Sequence, residues 1–273
     1  MKPKALILQA HGSNRDFDVM NALTLAGADA TGVPLNELKN RKSLLSDFQL
    51  LVLPGGFSYA DALGAGKLLA LDLASYFADE VSAFVEAGKP VIGICNGFQA
   101  LVKAGILSSN SVIASEAKQS PTKEEIASGK ERPCNDMATL TFNAEGHFEC
   151  RWVNIKSVSQ TCIWTKNLTE VITCPIAHGE GNYQAVKNIS AGQIALTYVH
   201  ADGAPANGLY PMNPNGSTLD IAGITNAKGN VLGLMPHPEN HIYTWQHPRH
   251  TRGETSGSGL KLFENGVQYA KEL

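Results

Sequence analysis

The sequence lacks the features that mark secreted, membrane and nucleic-acid-binding proteins. Its five cysteines (95, 134, 150, 162 and 174) are an odd number and include no Cys-x-x-Cys pair. This spacing argues against a disulfide framework and a zinc site, and it predicts a cytoplasmic location without a metal. The amino-terminal apolar run breaks at Gln9, too early for a signal peptide, and no run approaches the roughly 18 apolar residues of a membrane span. A net charge of −3 predicts neither nucleic acid nor a membrane as a partner.

A phosphate-binding loop of the Walker type is also missing from the sequence. The 273 residues are 43% hydrophobic and can bury a large core. We predict one domain over residues 1–273, with a polar insertion at about 108–136 that contains a short helix near 122–128. That insertion is charged and short of large apolar residues, which is typical of an exposed loop. The alternative is a functional lid.

Apolar runs alternate with helical patterns in the first hundred residues. Residues 5–8, 50–53 and 91–94 read as strands, and residues 16–26 and 68–87 read as helices. Such alternation predicts an α/β fold with a mostly parallel central sheet flanked by helices. After residue 139 the pattern changes to further β-strands, at 139–142, 148–155, 170–176, 194–198, 221–225 and 231–235, before a closing helix at 260–271.

Cys95 lies at the junction of a predicted strand and a predicted helix. The strand 91–94 ends directly before it, and Asn96, Gly97 and an apolar helical run follow. A strand–turn–helix of this kind lifts a side chain above the sheet edge and points a helix amino terminus at it, which favours a thiolate nucleophile. The alternative is that Cys95 is a small buried core residue.

A thiol nucleophile needs a base and a group that orients the base. His237 and Glu239 follow the predicted strand 231–235 within a Pro-His-Pro-Glu run. We expect the two prolines to keep this segment extended, so that both side chains point the same way. His178 and Glu180 form a second candidate pair, and spacing alone leaves the choice open.

Gly55 and Gly56 follow the predicted strand 50–53. Adjacent glycines at a strand end let backbone N–H groups approach a ligand closely, as an oxyanion requires. The N–H of Asn96, directly after the nucleophile, is a second candidate donor. Because the carboxyl ends of parallel strands meet at one sheet edge, we expect the Gly55–Gly56 turn beside Cys95.

These motifs resemble those of class I, or triad, glutamine amidotransferases, whose nucleophile motif is matched by residues 93–99 and whose His-Glu element is matched by residues 236–239. The resemblance narrows to the glutaminase subunits of phosphoribosylformylglycinamidine synthase, an enzyme of purine biosynthesis. It covers the chain from its amino terminus past Glu239, apart from 108–136, and rests on several further motifs in the same order: residues 12–16, 55–61, 63–66, 176–181, 215–217, 221–226 and 229–239.

The resemblance implies a flavodoxin-like fold and a complete reaction. Cys95 would attack the side-chain amide of L-glutamine, and His237, held by Glu239, would protonate the departing ammonia and then activate water against the thioester. Gly55, Gly56 and Asn96 would hold the oxyanion, and Gln99 would help to hold the substrate. This chain would need no cofactor.

The resemblance also implies a partner. Ammonia would pass through a channel to a separate synthetase subunit, which would bind ATP and Mg²⁺ and convert formylglycinamide ribonucleotide to the amidine. It leaves open whether a small third bridging subunit is required. Two alternatives remain: another triad amidotransferase or a γ-glutamyl hydrolase with a different acceptor, and an inactive scaffold that only docks a partner.

Overall fold

The fold is organised around a mixed β-sheet. A computed structural model describes residues 1–107, 138–185, 189–254 and 259–273. Its strands are β1 Lys4–Gln9, β2 Asp29–Pro34, β3 Leu50–Leu53, β4 Val91–Ile94, β5 Ala138–Thr141, β6 Glu149–Ser157, β7 Ile172–His178, β8 Asn182–Ala185, β9 Ile194–Val199, β10 Ile221–Thr225 and β11 Val231–Leu234. Its α-helices are α1 Asp16–Leu25, α2 Leu35–Asn40, α3 Lys67–Tyr76, α4 Ala78–Glu86, α5 Asn96–Lys103 and α6 Leu260–Glu272. None of the helices in these described ranges is long and apolar enough to cross a bilayer.

Nine strands form the main sheet, in the order β2-β1-β3-β4-β11-β10-β9-β6-β7. The first five strands in that order run parallel to their neighbours, whereas β10, β9, β6 and β7 pair antiparallel. A separate ribbon pairs β5 with β8. The predicted fold class is therefore confirmed: a largely parallel half carries helices, and the carboxy-terminal half adds further strands.

Two adjacent strands of the parallel half are completely buried. All four residues of β3 and all four of β4 are buried, as expected for strands covered on both faces. Helix α5 packs on β4 and β11, and α6 packs on α1 and β3. The carboxyl ends of β3, β4 and β11 therefore meet at one edge of a rigid sheet.

The first hundred residues differ from the sequence-based expectation in one predicted helix and in two elements that were not expected, β2 and α2. The single helix predicted over 68–87 is wrong, because Phe77 leaves helical geometry at φ −128° and separates α3 from α4. Strand β2 was not expected, since its sequence is polar and contains Gly32 and Pro34. It lies at the sheet edge, where such residues are tolerated. The predicted insertion at 108–136 and its short helix lie outside the described residues.

Gly97 is required by a close approach between α5 and β3. A Cβ atom at this position would lie 2.0 Å from the Leu53 carbonyl oxygen, well inside van der Waals contact. We therefore expect Gly97→Ala to lower the free energy of unfolding by about 3 kcal/mol, measured by urea denaturation. Gly192→Ala is the matched control, since its new Cβ would meet only Ser190 Oγ at 3.9 Å. Equal stability of the two variants would contradict the close approach.

Candidate active site

The backbone at Cys95 adopts a strained turn between β4 and α5. Its φ of +50° and ψ of −105° lie in a region that non-glycine residues rarely adopt, at a cost of about 1–3 kcal/mol. The turn is held on both sides, because Cys95 N–H donates to Leu234 O at 2.8 Å and its carbonyl accepts from Gln99 N at 3.0 Å. The predicted strand–turn–helix at Cys95 is present, and its side chain is nearly buried.

His237 and Glu239 lie just beyond the end of β11, the strand that neighbours β4. The register pairs Ile94 with Leu234, so both strands end at the same level and Cys95 and His237 follow on the same edge. His237 Nδ1 lies 2.7 Å from Glu239 Oε1, and both side chains are buried. The expected pairing is present, but the expected extended backbone is wrong. Residues Pro238–Asn240 form a 3₁₀ turn that begins at proline, a position where the ring is tolerated.

The charges around His237 favour its protonated form. Burial lowers the His237 pKa. The charges of Glu239 and Cys95, together with hydrogen bonds to both residues, outweigh this effect and raise the pKa to about 10. His237 is thus an imidazolium at neutral pH, between a carboxylate and the sulfur. A protonated imidazole beside the sulfur can act as the general acid that an acyl-transfer leaving group requires.

Gly55 lies against both members of this pair. A Cβ atom built on Gly55 would meet His237 Cε1 at 2.7 Å and Cys95 Cβ at 3.5 Å. Gly56, the next residue, has a φ of +121°, which a side chain would disfavour. The glycine turn is therefore beside Cys95, as expected from the order of the strands, and only glycine fits at Gly55.

The Asn96 side chain holds the loop that follows the glycine turn. Its Oδ1 accepts from Ser58 N at 3.1 Å and from Ser58 Oγ at 2.5 Å, and its Nδ2 donates to Asp61 Oδ1 at 2.9 Å. Its backbone N–H lies at the first position of α5 and has no acceptor within the helix. The side chain of Asn96 thus holds the loop in place, while its N–H lies directly after Cys95 at the start of α5.

Gln99 connects α5 to the segment after β7. Its Oε1 accepts from Asn96 Nδ2 at 3.1 Å, and its Nε2 donates to the Glu180 carbonyl at 2.7 Å. Gln99 and Cys95 line one cavity of about 320 Å³, which also contains Gly56, Phe57, Ala60, Asp61, Ala65, Phe142, Phe148, Ala177, His178, Gly179 and Glu180. This volume is in the range of small-molecule sites.

His178 is close to the site, but it does not form the alternative pair with Glu180. Its ring is buried, and burial together with the charge of His237 lowers its pKa to about 3. Nδ1 lies 3.1 Å from Asn143 Oδ1. The Asn143 amide donates to two carbonyls, so its oxygen must accept and His178 Nδ1 carries the proton. His178 is neutral, and the Glu180 carboxylate points instead towards Lys103.

Several residues of this site escape sequence reasoning. Ser58 and Asp61 lie within the motif 55–61, but nothing in their spacing showed that both would contact Asn96. Asn143, which holds His178, and the cavity-lining Phe142 lie more than 40 residues from Cys95 and carry no local signal. Their positions depend on the pairing of β5 with β8.

The chain is similar to known proteins over nearly its whole length. The family described as "CobB/CobQ-like glutamine amidotransferase domain" matches residues 2–270. The protein named "Phosphoribosylformylglycinamidine synthase subunit PurQ" of Treponema denticola is 51% identical, over 98% of this chain and 99% of its own length. The protein of the same name from Dehalococcoides mccartyi is 37% identical, over 100% and 99% respectively.

Solved structures give a similar result. The structure described as "Structure of PurLQS from Thermotoga maritima" aligns with a TM-score of 0.71 and 31% identity, covering 98% of this chain and 99% of that one. A glutamine amidotransferase from Thermotoga maritima aligns with a TM-score of 0.52 at 14% identity, a likeness that concerns the fold alone.

The pairing of His237 with Glu239 predicts a specific pH dependence. Because the His237 pKa of about 10 exceeds the unfolded value of about 6.5, its protonation stabilises the fold fully below pH 6.5 and progressively less as pH rises through 10. We expect Glu239→Gln to lower the His237 pKa in an NMR titration and to lower the unfolding free energy at pH 7 by about 3 kcal/mol. That deficit should shrink towards pH 10. An unchanged titration would contradict the assigned pairing.

Proposed function

The chain belongs to the family of CobB/CobQ-like glutamine amidotransferase domains, and we propose that it releases ammonia from L-glutamine through Cys95, His237 and Glu239. It is the glutaminase subunit that supplies ammonia for the synthesis of formylglycinamidine ribonucleotide in purine biosynthesis. The relative of 51% identity over nearly the full length carries this enzyme's name. This similarity favours that acceptor over the other triad amidotransferases and over γ-glutamyl hydrolases.

One observation carries the proposed chemistry: a protonated, carboxylate-held His237 stands beside Cys95 at the edge of the sheet. The Cys95 sulfur attacks the γ-amide carbon, and a tetrahedral oxyanion forms. When the C–N bond breaks, the nitrogen takes the proton of His237 and leaves as ammonia. The neutral imidazole then accepts a proton from water, whose oxygen attacks the thioester, and glutamate and the thiolate are released.

Backbone donors complete the proposed site. The N–H groups of Gly56 and Asn96 stabilise the oxyanion, because Gly55 brings this turn against both Cys95 and His237 and Asn96 begins α5. Preorganised donors of this kind contribute about 3 kcal/mol each to the transition state. Gln99 lines the cavity and keeps α5 fixed to the segment after β7. We assign it to substrate placement.

The partner is the synthetase subunit of the same enzyme, together with the small third subunit. The Thermotoga maritima neighbour is described as PurLQS, a name that combines the Q of the PurQ relatives with L and S. ATP and Mg²⁺ are assigned to the synthetase subunit. We further propose that residues 1–273 work as one domain in the cytoplasm, which the continuous hydrophobic core and the sparse cysteines support.

Three exposed aromatic rings surround the cavity mouth. Phe142 is 72% exposed, Phe148 50% and Phe57 45%, and all three line the cavity that contains Cys95. Exposed aromatic clusters mark interaction sites. We propose that ammonia leaves by this mouth, and we therefore place the synthetase subunit over these rings.

Removal of the nucleophile separates the two half-reactions. In the reconstituted complex, we expect Cys95→Ala to reduce glutamine-dependent product formation by at least about a thousandfold. Synthesis from added ammonium chloride should persist, because the acceptor chemistry resides in the partner. Product formation is followed with each nitrogen donor in turn. Undiminished synthesis from glutamine would support a scaffold role instead, and loss of both activities would contradict ammonia transfer.

A charged substitution at one of the three exposed phenylalanines tests the proposed docking site. We expect Phe142→Asp to weaken binding to the synthetase subunit by about tenfold or more and to allow glutamate to form in excess of product. Phe17→Asp is the matched control, because Phe17 is 77% exposed on α1 and does not line the cavity. Binding is measured by titration calorimetry and coupling by the ratio of glutamate to product. Equal effects of both variants would contradict the docking site.

A further inference from the structure

Glu180 lines the cavity, and its carboxylate has no close hydrogen-bond donor among its described contacts. Both of its oxygens are 3.4 Å from Ala65 N, and Oε2 is 3.9 Å from Lys103 Nζ. Good charge-assisted hydrogen bonds are about 2.7–2.9 Å long. The side chain is 21% exposed and lines the same cavity as Cys95. It therefore offers a negative charge to whatever occupies that cavity.

Asp61, the other carboxylate of the cavity lining, is already engaged. Its Oδ1 accepts from Asn96 Nδ2 at 2.9 Å and from Gly66 N at 3.2 Å. These bonds hold the loop after the glycine turn. Of the two carboxylates, Glu180 is thus the one that forms no close hydrogen bond with the described residues.

The backbone at Glu180 is rigidly placed relative to the nucleophile. Its carbonyl accepts from Gln99 Nε2 at 2.7 Å, and Gln99 N–H is bonded to the Cys95 carbonyl. Gly181 N–H donates to Asn143 Oδ1 at 3.0 Å, and Gly181 O accepts from Asn215 Nδ2 at 2.8 Å. A charge on such a fixed segment is preorganised to recognise a ligand group at a defined distance from the sulfur.

We propose that Glu180 binds the α-ammonium group of the substrate and so selects an α-amino acid amide over other small amides. This inference rests on the proposed glutaminase function. L-Glutamine carries its reacting γ-amide at one end and an ammonium group at the other. With the amide at Cys95, the ammonium group reaches the cavity wall, where Glu180 supplies the opposite charge. Glu180 is a specificity residue and takes no part in proton transfer.

The test compares Glu180→Gln with the wild-type chain in the assembled complex with the synthetase. Glutamate release from L-glutamine gives kcat and KM. Competitive inhibition by L-glutamate and by glutarate, which lacks the ammonium group, gives two inhibition constants without requiring turnover of an analogue. We expect the KM for glutamine and the inhibition constant of L-glutamate to rise tenfold or more, with kcat and the glutarate constant little changed.

A matched variant separates recognition from a structural role. Lys103→Met removes the distant ion-pair partner of Glu180 but keeps the carboxylate, and we expect it to preserve the preference for L-glutamate over glutarate. The proposal is overturned if Glu180→Gln weakens both inhibitors equally, if it changes neither, or if Lys103→Met reproduces its effect. A wild-type complex that does not hydrolyse glutamine would instead overturn the proposed function itself.

Discussion

The site depends on a buried charge that the protein would not tolerate without its two neighbours. Burial alone would keep His237 neutral, but Glu239 and Cys95 raise its pKa to about 10. Removing one partner of such a buried group leaves an uncompensated charge, which is strongly destabilising. The geometry must therefore hold both partners in place, and much of the surrounding structure serves that purpose.

The strand order is the first part of that support. β4 and β11 are sequence-distant but adjacent and in register, so the residues that follow them lie together. The close contact of Gly97 with β3 allows α5 to begin directly after Cys95. Packing and hydrogen bonds on both sides of Cys95 offset the strain of its backbone. Its side chain is thereby lifted above the sheet edge.

A network of polar contacts is the second part. The loop after Gly56, the start of α5 and the segment after β7 are joined through Asn96 and Gln99. The side-chain amides of Asn96 and Gln99 are buried, and both the oxygen and the nitrogen of each are hydrogen-bonded. The three segments therefore cannot shift independently without leaving polar groups unsatisfied. The same network holds the backbone of Glu180 at the cavity wall.

The sequence was informative where one local signal determines structure. Strands β3 and β4 were predicted at their observed bounds, because each is an uninterrupted apolar run followed by a turn. His237 and Glu239 were found as a pair because they are two residues apart, although the backbone between them is a 3₁₀ turn. By contrast, the break at Phe77 depends on a single backbone angle that the apolar pattern does not reveal.

Long-range contacts account for most of what sequence reasoning missed. The tautomer of His178 is set by Asn143, and the loop at Ser58 is set by Asn96. Neither partner can be inferred from spacing, since both depend on how distant strands are ordered in the sheet. The resemblance to triad amidotransferases favours His237 as the proposed base. The burial of His178 and its hydrogen bond to Asn143 give a physical reason why His178, the second candidate, is less suited to that role.

The central claim is that Cys95 is the nucleophile for a glutamine-shaped substrate. The most direct measurement is mass-spectrometric mapping of the assembled complex after treatment with the diazoketone analogue of L-glutamine. The account predicts one covalent adduct on this chain, at Cys95, that excess glutamine prevents. An adduct at another of the five cysteines, or none at Cys95 in a complex that still hydrolyses glutamine, would contradict it.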